Sequence, residues 1–272
     1  MKTLANHMIL FDAECPMCKM YTKAFVKTGM LDDTGRSSYQ NTPDNVCPVI
    51  DQQRAVNEIA LVDLETGEVT YGIKSLFKII GNAMPLFKPL FSFAPFIWLM
   101  SKVYAFIAFN RRVIVPPSNT NDSYAFQPTF KLRYRIAYLL FAWFCTGFIL
   151  TVYAHFLVGM VPLGNPYREY MICGGQIIFQ GIVISFYAKD KLWSYLGNMM
   201  TISFGGSLLL LLPLAVSHVF KLSPLIFTLC FLGVAGLMFL EHIRRTKLLN
   251  LGWTMTITWV FYRLVVLGLI MM

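Results

Sequence analysis

Charge is what this 272-residue chain has least of: only 14% of its residues are Asp, Glu, Lys or Arg, against about 25% in soluble domains. Cysteine and histidine are scarce too, at six and four. So few cysteines exclude a disulfide scaffold, where they exceed about 8–10% of a short chain. Low charge with 56% hydrophobic residues also excludes intrinsic disorder. The mean hydropathy of +0.57 points to a membrane protein rather than a lone soluble globule. Acids are rarest in the second half. Residues 1–117 hold ten acids against twelve bases, whereas residues 118–272 hold only Asp122, Glu169, Asp190 and Glu241 against eleven bases. The chain therefore reads as a soluble-type domain over 1–117, a Pro/Asn/Ser-rich linker over 118–130 and a membrane domain over 131–272.

Five apolar runs lie in the membrane domain, over 136–160, 172–188, 193–217, 224–240 and 251–271. Each is near the roughly 20 residues that cross a hydrocarbon core, so the expected architecture is an all-α bundle of about five transmembrane helices. Gly174, Gly175, Gly181, Gly205, Gly206, Gly233 and Gly236 are placed to let helices approach closely. The loops holding Lys131, Arg133 and Arg135, then Lys189 and Lys191, then Arg244, Arg245 and Lys247 carry eight bases, and the opposite loops only Arg168 and Lys221. By the positive-inside rule the N-terminal domain lies in the cytoplasm, in a bacterial-type inner membrane. The start of the chain has no apolar run of signal-peptide type. Between Lys88 and Lys102 an aromatic segment is too short to span and is expected to be broken by Pro89 and Pro95, as a buried or interfacial helix. The net charge of +9 tracks the basic loops, so nucleic-acid binding need not be invoked.

In the first domain, the apolar run 8–11 suits a buried strand. Asp12-Ala13-Glu14-Cys15-Pro16-Met17-Cys18 follows, then a helix over 19–30. The two cysteines thus sit at a strand-to-helix turn. Unpaired N–H groups and the helix dipole there stabilise a thiolate at Cys15, and Pro16 suits the first turn, where its missing N–H costs nothing. Cys18, three residues on, is close enough to attack a mixed disulfide formed by Cys15. A redox pair is the favoured reading. A half zinc site would need a second ligand pair, and only Cys47 and His7 are at hand in this half; two inert buried thiols complete the alternatives. Asp12 is either a proton-moving carboxylate for Cys18 or a hydrogen-bond acceptor at the helix start. Downstream, a strand over 57–63, a turn, a strand over 68–71 and a helix over 72–80 complete the order that a thioredoxin-like α/β layer needs.

The segment Ile9-Leu10-Phe11-Asp12-Ala13-Glu14-Cys15-Pro16-Met17-Cys18 resembles the opening of the DCC family of thiol–disulfide oxidoreductases, an apolar strand followed by Asp-Gly-x-Cys-Pro-x-Cys. The hairpin 59–71 with Gly72, and Tyr104 to Arg112, are similar to that family in kind and order. The likeness covers about residues 8–117. It implies a thioredoxin-like fold and protein-disulfide reductase or related exchange activity, with Asp12, Cys15, Pro16 and Cys18 carried over. Ala13 stands where the family has glycine, which implies strain or a changed turn. Glu14 puts a negative charge beside Cys15, expected to raise its pKa. Neither Pro43 nor Pro48 is assigned as the proline that faces the cysteine pair in many thioredoxin-like proteins.

The expected activity is thus that of a membrane-anchored thiol–disulfide oxidoreductase acting on a protein or small-molecule disulfide. Its chemistry requires no metal or organic cofactor. Electrons would come from a cytoplasmic thiol donor or from a quinone, a choice left open. The alternative is a transport or scaffold protein whose N-terminal domain binds or senses redox state. Cys47, Cys145, Cys173 and Cys230 are read as inert or as small core residues. Glu241, His242 and Arg244 are read as a helix-end cluster. Arg263 is an intramembrane charge, read either as a functional-site residue or as one that snorkels or pairs with a polar helix. His155 and His218 are read as interfacial hydrogen-bonding groups.

Overall fold

A computed structural model describes residues 2–41, 50–117 and 128–272. Cys47, Pro43, Pro48 and most of the expected linker lie outside the described residues. The chain divides into two compact units, Met1–Tyr134 and Arg135–Met272.

The first unit is built on a four-stranded mixed sheet. Its strands are β1 (His7–Phe11), β2 (Arg36–Ser38), β3 (Ala60–Asp63) and β4 (Val69–Tyr71), in the order β2-β1-β3-β4. Strand β1 runs parallel to β2 and antiparallel to β3, and β3 runs antiparallel to β4. Side chains alternate across a strand, so Ile9 and Leu61 join Leu31, Ile59 and Ile79 on one face. Leu10, Ala60 and Val62 join Ile50 and Ala55 on the other. Helices α1 (Pro16–Lys27) and α3 (Ile73–Ala83) cover the first face through Tyr21, Phe25, Leu76 and Ile79. Helix α2 (Gln52–Asn57) covers the second through Ala55.

Two elements were not expected from the sequence, β2 and α2. At three and six residues they are too short to carry a periodic signal. Asp51 starts α2 by accepting the N–H of Arg54 at 2.9 Å, and the strand expected over 57–63 begins only after this helix has ended. Gly72 leads into α3 at φ +66°, where a side chain would be strained and would meet Glu58. The aromatic segment also departs from expectation. It forms α4 (Lys88–Ser92) and α5 (Ala94–Ile114), which meet at 88°. The expected break falls at Phe93, just ahead of Pro95. Pro95 itself occupies the first turn of α5, where a proline forfeits no hydrogen bond, in a helix of 21 residues.

The second unit is all helical: α6 (Leu132–Ala154, its first turn preceding the unit boundary), α7 (Arg168–Tyr187), α8 (Leu192–Ser217), α9 (Pro224–Leu248) and α10 (Thr254–Met271). Together with flanking short turns these give, among the described residues, five helical segments long and apolar enough to cross a membrane, or six if α4 and α5 count as one broken span. This is the mark of an integral membrane protein. Helix α8 is the hub: Tyr195, Leu196, Met199 and Met200 pack with Leu139 and Ala142 of α6, Ile184 of α7, and Met255 and Trp259 of α10. On α9, Leu229, Leu232, Leu237 and Leu240 are all exposed. Such a stripe is a liability in water and the expected surface in lipid.

The glycines divide into two groups. A Cβ on Gly174 would stand 2.8 Å from the Trp143 indole, and one on Gly175 or Gly206 would collide with Tyr262 or Met238. Gly205, Gly233 and Gly236 meet nothing within 4 Å, so close helix approach is not their use. The Trp143 ring cannot easily retreat, because its Nε1–H donates to the Tyr170 carbonyl at 2.7 Å. Gly174→Leu is therefore expected to cost about 1–3 kcal/mol by overpacking, whereas Gly205→Leu leaves stability unchanged or slightly raised. Thermal unfolding of the two variants in detergent, side by side, checks the contrast.

Candidate functional site

The turn between β1 and α1 is built without strained backbone. Among the described residues, the only non-glycine positions with positive φ are Asn6 and Asn250, so Ala13 needs no glycine-like conformation. The Cys15 N–H donates to the Asp12 carbonyl at 3.1 Å, closing the turn. Cys15 is then the N-cap of α1, with extended dihedrals, and Pro16 follows in the first turn. The Cys15 sulfur accepts the backbone N–H of Cys18 at 3.2 Å, in the way a serine or aspartate oxygen satisfies an orphan donor at a helix start. Asp12, Cys15, Pro16 and Cys18 are thereby gathered in one turn. Cys15 and Cys18 are free thiols and both are buried, at 5% and 6% exposure.

Asp12 is fixed from several directions. Its Oδ1 accepts from the Glu14 N–H at 3.0 Å, the Gln40 side-chain amide at 3.0 Å and the Tyr39 hydroxyl at 3.4 Å. Its Oδ2 accepts from Arg111 Nη2 at 2.7 Å. The carboxylate is thus tied into the turn on both oxygens, while the helix start itself is capped by Cys15. Gln40 also accepts the Ala13 N–H at 3.0 Å, so one side chain braces both sides of the turn. Arg111, on α5, donates further to the Val56 carbonyl at 2.8 Å. Its neighbour Arg112 pairs with Glu14 at 2.9 Å.

These contacts decide which thiol is ionised. The Cys15 pKa is lowered to about 7. The main cause is the hydrogen bond from the Cys18 thiol; burial opposes it, and the Arg111 charge and the Cys18 N–H assist it. Asp12 works weakly in the opposite direction. Glu14, expected to raise this pKa, is drawn into its ion pair with Arg112, and the direction of the shift is down. Cys18 is pushed up, by donating its hydrogen bond to Cys15 and by burial. The turn can therefore hold a thiolate at Cys15 beside a neutral thiol at Cys18.

Sequence reasoning missed Arg111, Arg112, Tyr39 and Gln40 as parts of this site. Tyr39 and Gln40 follow β2, an element without a sequence signal. Arg111 and Arg112 stand within a segment noted only for its family likeness, and nothing local marks them as partners of residues about a hundred positions upstream.

Other candidate residues fall elsewhere. His242 does not belong to a helix-end cluster. It is buried, within 3.2 Å of the Tyr195 hydroxyl and 3.1 Å of Thr256 Oγ1, and stacked on Trp259. Arg245 takes its place, pairing with Glu241 at 2.7 Å as Arg244 does at 2.6 Å. Arg263 lies over the Trp259 ring at 4.3 Å. His155 bonds the Thr151 carbonyl at 2.9 Å. Cys145, Cys173 and Cys230 are free thiols on three separate helices. Among the described residues no group of three or more His, Cys, Asp or Glu could hold a metal ion.

No family model matches the chain, and no curated protein or solved structure matches it.

Two outcomes follow from this geometry. The rate of Cys15 alkylation, followed by peptide mass spectrometry, should rise with pH through a midpoint of about 7; in Cys18→Ala, which removes the largest stabilising contact, the midpoint should return toward 9. Because the folded pKa is the lower one, this thiolate adds stability above the ordinary thiol pKa and loses it as pH falls through 7. Asp12→Asn strands a buried guanidinium and should cost about 3–5 kcal/mol. Glu68→Gln breaks the more exposed 3.8 Å pair with Lys78 and should cost under about 1 kcal/mol, measured by the same denaturant titration.

Proposed function

We propose that this protein is a membrane-anchored thiol–disulfide oxidoreductase whose N-terminal unit is a thioredoxin-like domain facing the cytoplasm. The observation that carries the reading is the Cys15 sulfur capping α1, accepting the Cys18 N–H at 3.2 Å, with its pKa lowered to about 7. A nucleophile in disulfide exchange works best with a pKa near ambient pH, and the resolving thiol must stay protonated until it is needed. Further support comes from the sheet. A parallel β1–β2 pair linked through α1, joined to a β3–β4 hairpin that leads into α3, is the arrangement a thioredoxin-like layer uses, with the cysteine pair at the end of its first strand.

On this reading, Cys15 attacks a substrate disulfide as the thiolate. Its sulfur bonds to one substrate sulfur and the other leaves as a thiolate. The Cys18 sulfur, losing its proton to that leaving group, then attacks Cys15. The second substrate thiol is released and the Cys15–Cys18 disulfide remains. Asp12 positions the turn and Pro16 starts the helix without spending an N–H. Reduction of the new disulfide falls to a cytoplasmic thiol donor. A second reading, a binding or sensing module on a membrane scaffold, gains some support from the burial of both sulfurs.

One experiment separates the two. The full-length protein in detergent is equilibrated across glutathione redox buffers, its thiols are counted by a mass-tagged alkylator, and disulfide reduction is assayed for wild type, Cys15→Ser and Cys18→Ser. The expected result is a two-electron couple, loss of turnover in Cys15→Ser and an accumulated mixed disulfide in Cys18→Ser. Turnover that persists without Cys15 would overturn the enzyme reading.

A further inference from the structure

Beside the cysteine pair the N-terminal unit holds a cavity of about 220 Å³. Small-molecule sites commonly run to about 300–1,000 Å³, so this one suits a single ring with small substituents rather than a peptide. Its lining includes Cys18 but not Cys15, so a molecule seated there meets the resolving sulfur. Phe11, Ile59, Leu76 and Ile107 contribute to largely apolar walls.

The exceptions are informative. Arg111 lines the cavity, and its buried Nε–H has no protein acceptor among the described residues. Tyr21 lines it too, as does Asp12, whose oxygens are already taken by Arg111, Gln40, Tyr39 and the Glu14 N–H, and so does Tyr104. Its hydroxyl oxygen accepts the Ile59 N–H at 2.9 Å, which leaves its own proton to be donated. An apolar chamber with donors in its lining selects an apolar body that carries acceptor oxygens. A charged or peptide-like disulfide would have to shed its water to enter, with little to replace it.

The way in is apolar as well. Val103 and Ile107 of α5 line the cavity and yet are 40% and 39% exposed. Such a mouth favours a ligand that travels in lipid, and this chain has five helices of membrane-crossing length and apolarity.

We infer that this cavity takes the head group of a lipid-soluble quinone, which competes with the substrate disulfide as a second electron acceptor for the Cys15–Cys18 pair once the thiol donor has reduced it. The inference rests on the oxidoreductase reading above. The Cys15 thiolate takes the Cys18 proton, and the Cys18 sulfur forms a transient carbon–sulfur bond to the quinone ring as that proton passes on to a quinone oxygen, leaving Cys15 ionised again. The Cys15 thiolate attacks that sulfur, the sulfur–sulfur bond forms, and the carbon–sulfur bond breaks with its electron pair passing to the ring. The ring leaves as hydroquinone. It has gained two electrons from the dithiol, one proton from the Cys18 thiol and one from water, Cys15 having entered already ionised. Arg111 and Tyr104 donate to the quinone oxygens as charge builds on them.

The test uses full-length protein, reduced and freed of reductant, in detergent. Its oxidation is timed separately with decylubiquinone and with glutathione disulfide, following quinone absorbance and counting thiols by mass tag. The quinone should oxidise wild type with one hydroquinone formed per Cys15–Cys18 disulfide. Ile107→Trp and, independently, Val103→Trp place bulk in the cavity wall. Each should lower the ratio of quinone rate to glutathione-disulfide rate on the order of tenfold or more. Oxidation of wild type by glutathione disulfide but not by the quinone would overturn the inference and leave the oxidoreductase reading standing. A quinone rate whose ratio is unchanged in both variants would also overturn it, placing the reaction outside the cavity. A pair oxidised by neither reagent would overturn the oxidoreductase reading itself.

Discussion

The buried ion pair between Asp12 and Arg111 is the constraint on which the N-terminal unit turns. At 2.7 Å, with side-chain exposures of 3% and 7%, neither charge retains much water. Removing two ions from water costs several kcal/mol each, and their attraction offsets this only when the remaining lone pairs and protons are also met. Here most of them are. Asp12 receives the Glu14 N–H, the Gln40 amide and the Tyr39 hydroxyl, while Arg111 gives its other identified bond to the Val56 carbonyl. The pair therefore does more than add stability. It fixes the turn after β1 against α5, and it holds a positive charge near Cys15 and Cys18 that burial alone would forbid. Burial works against the guanidinium charge, and Cys18, Asp12 and Cys15 together outweigh it.

The membrane unit solves a related problem mostly with neutral groups, joined by one arginine–glutamate pair. Its interior is not uniformly apolar: Gln180 accepts from the Tyr195 hydroxyl at 2.9 Å, and His242 bridges Tyr195 and Thr256. Asn198 accepts from Arg245, which also pairs with Glu241. These contacts join α7, α8, α9 and α10. In lipid, apolar burial gives little preference for one helix partner over another, so packing of small residues and hydrogen bonds of this kind select the neighbours. The close approaches at Gly174, Gly175 and Gly206 are the steric part of the same selection.

Much of this was legible in the sequence. The five apolar runs appear as five helices because the span length is set by the bilayer and not by tertiary detail. The helix start at Cys15 was legible because capping is local: a proline at the first turn and an acceptor before it suffice. What was not legible depends on distance along the chain or on very short elements. Arg111 acquires its meaning only when α5 is brought to Asp12. The sequence of β2 has no alternation over three residues, yet it delivers Tyr39 and Gln40. Glu14 illustrates the limit of local electrostatics. Read alone it raises the pKa of its neighbour, but Arg112, ninety-eight residues on, takes up its charge. Gly205 and Gly206 are adjacent in sequence, and only one faces a partner helix.

Burial of both sulfurs sets a condition on any chemistry proposed for the pair. In an exposed cysteine pair a large partner can reach the nucleophile directly. Here Cys15 and Cys18 are almost fully enclosed, so either the turn opens or the partner is small. Opening is costly, because Asp12 ties the turn to Arg111, Tyr39 and Gln40 at once and those bonds would have to break together. A small partner needs no such rearrangement, since the cavity already reaches Cys18. The same enclosure strengthens the influence of Arg111 on the thiols, because little solvent screens it. Access and reactivity are therefore coupled through one residue: a change that loosens Arg111 to admit a larger substrate also withdraws charge that helps hold Cys15 ionised.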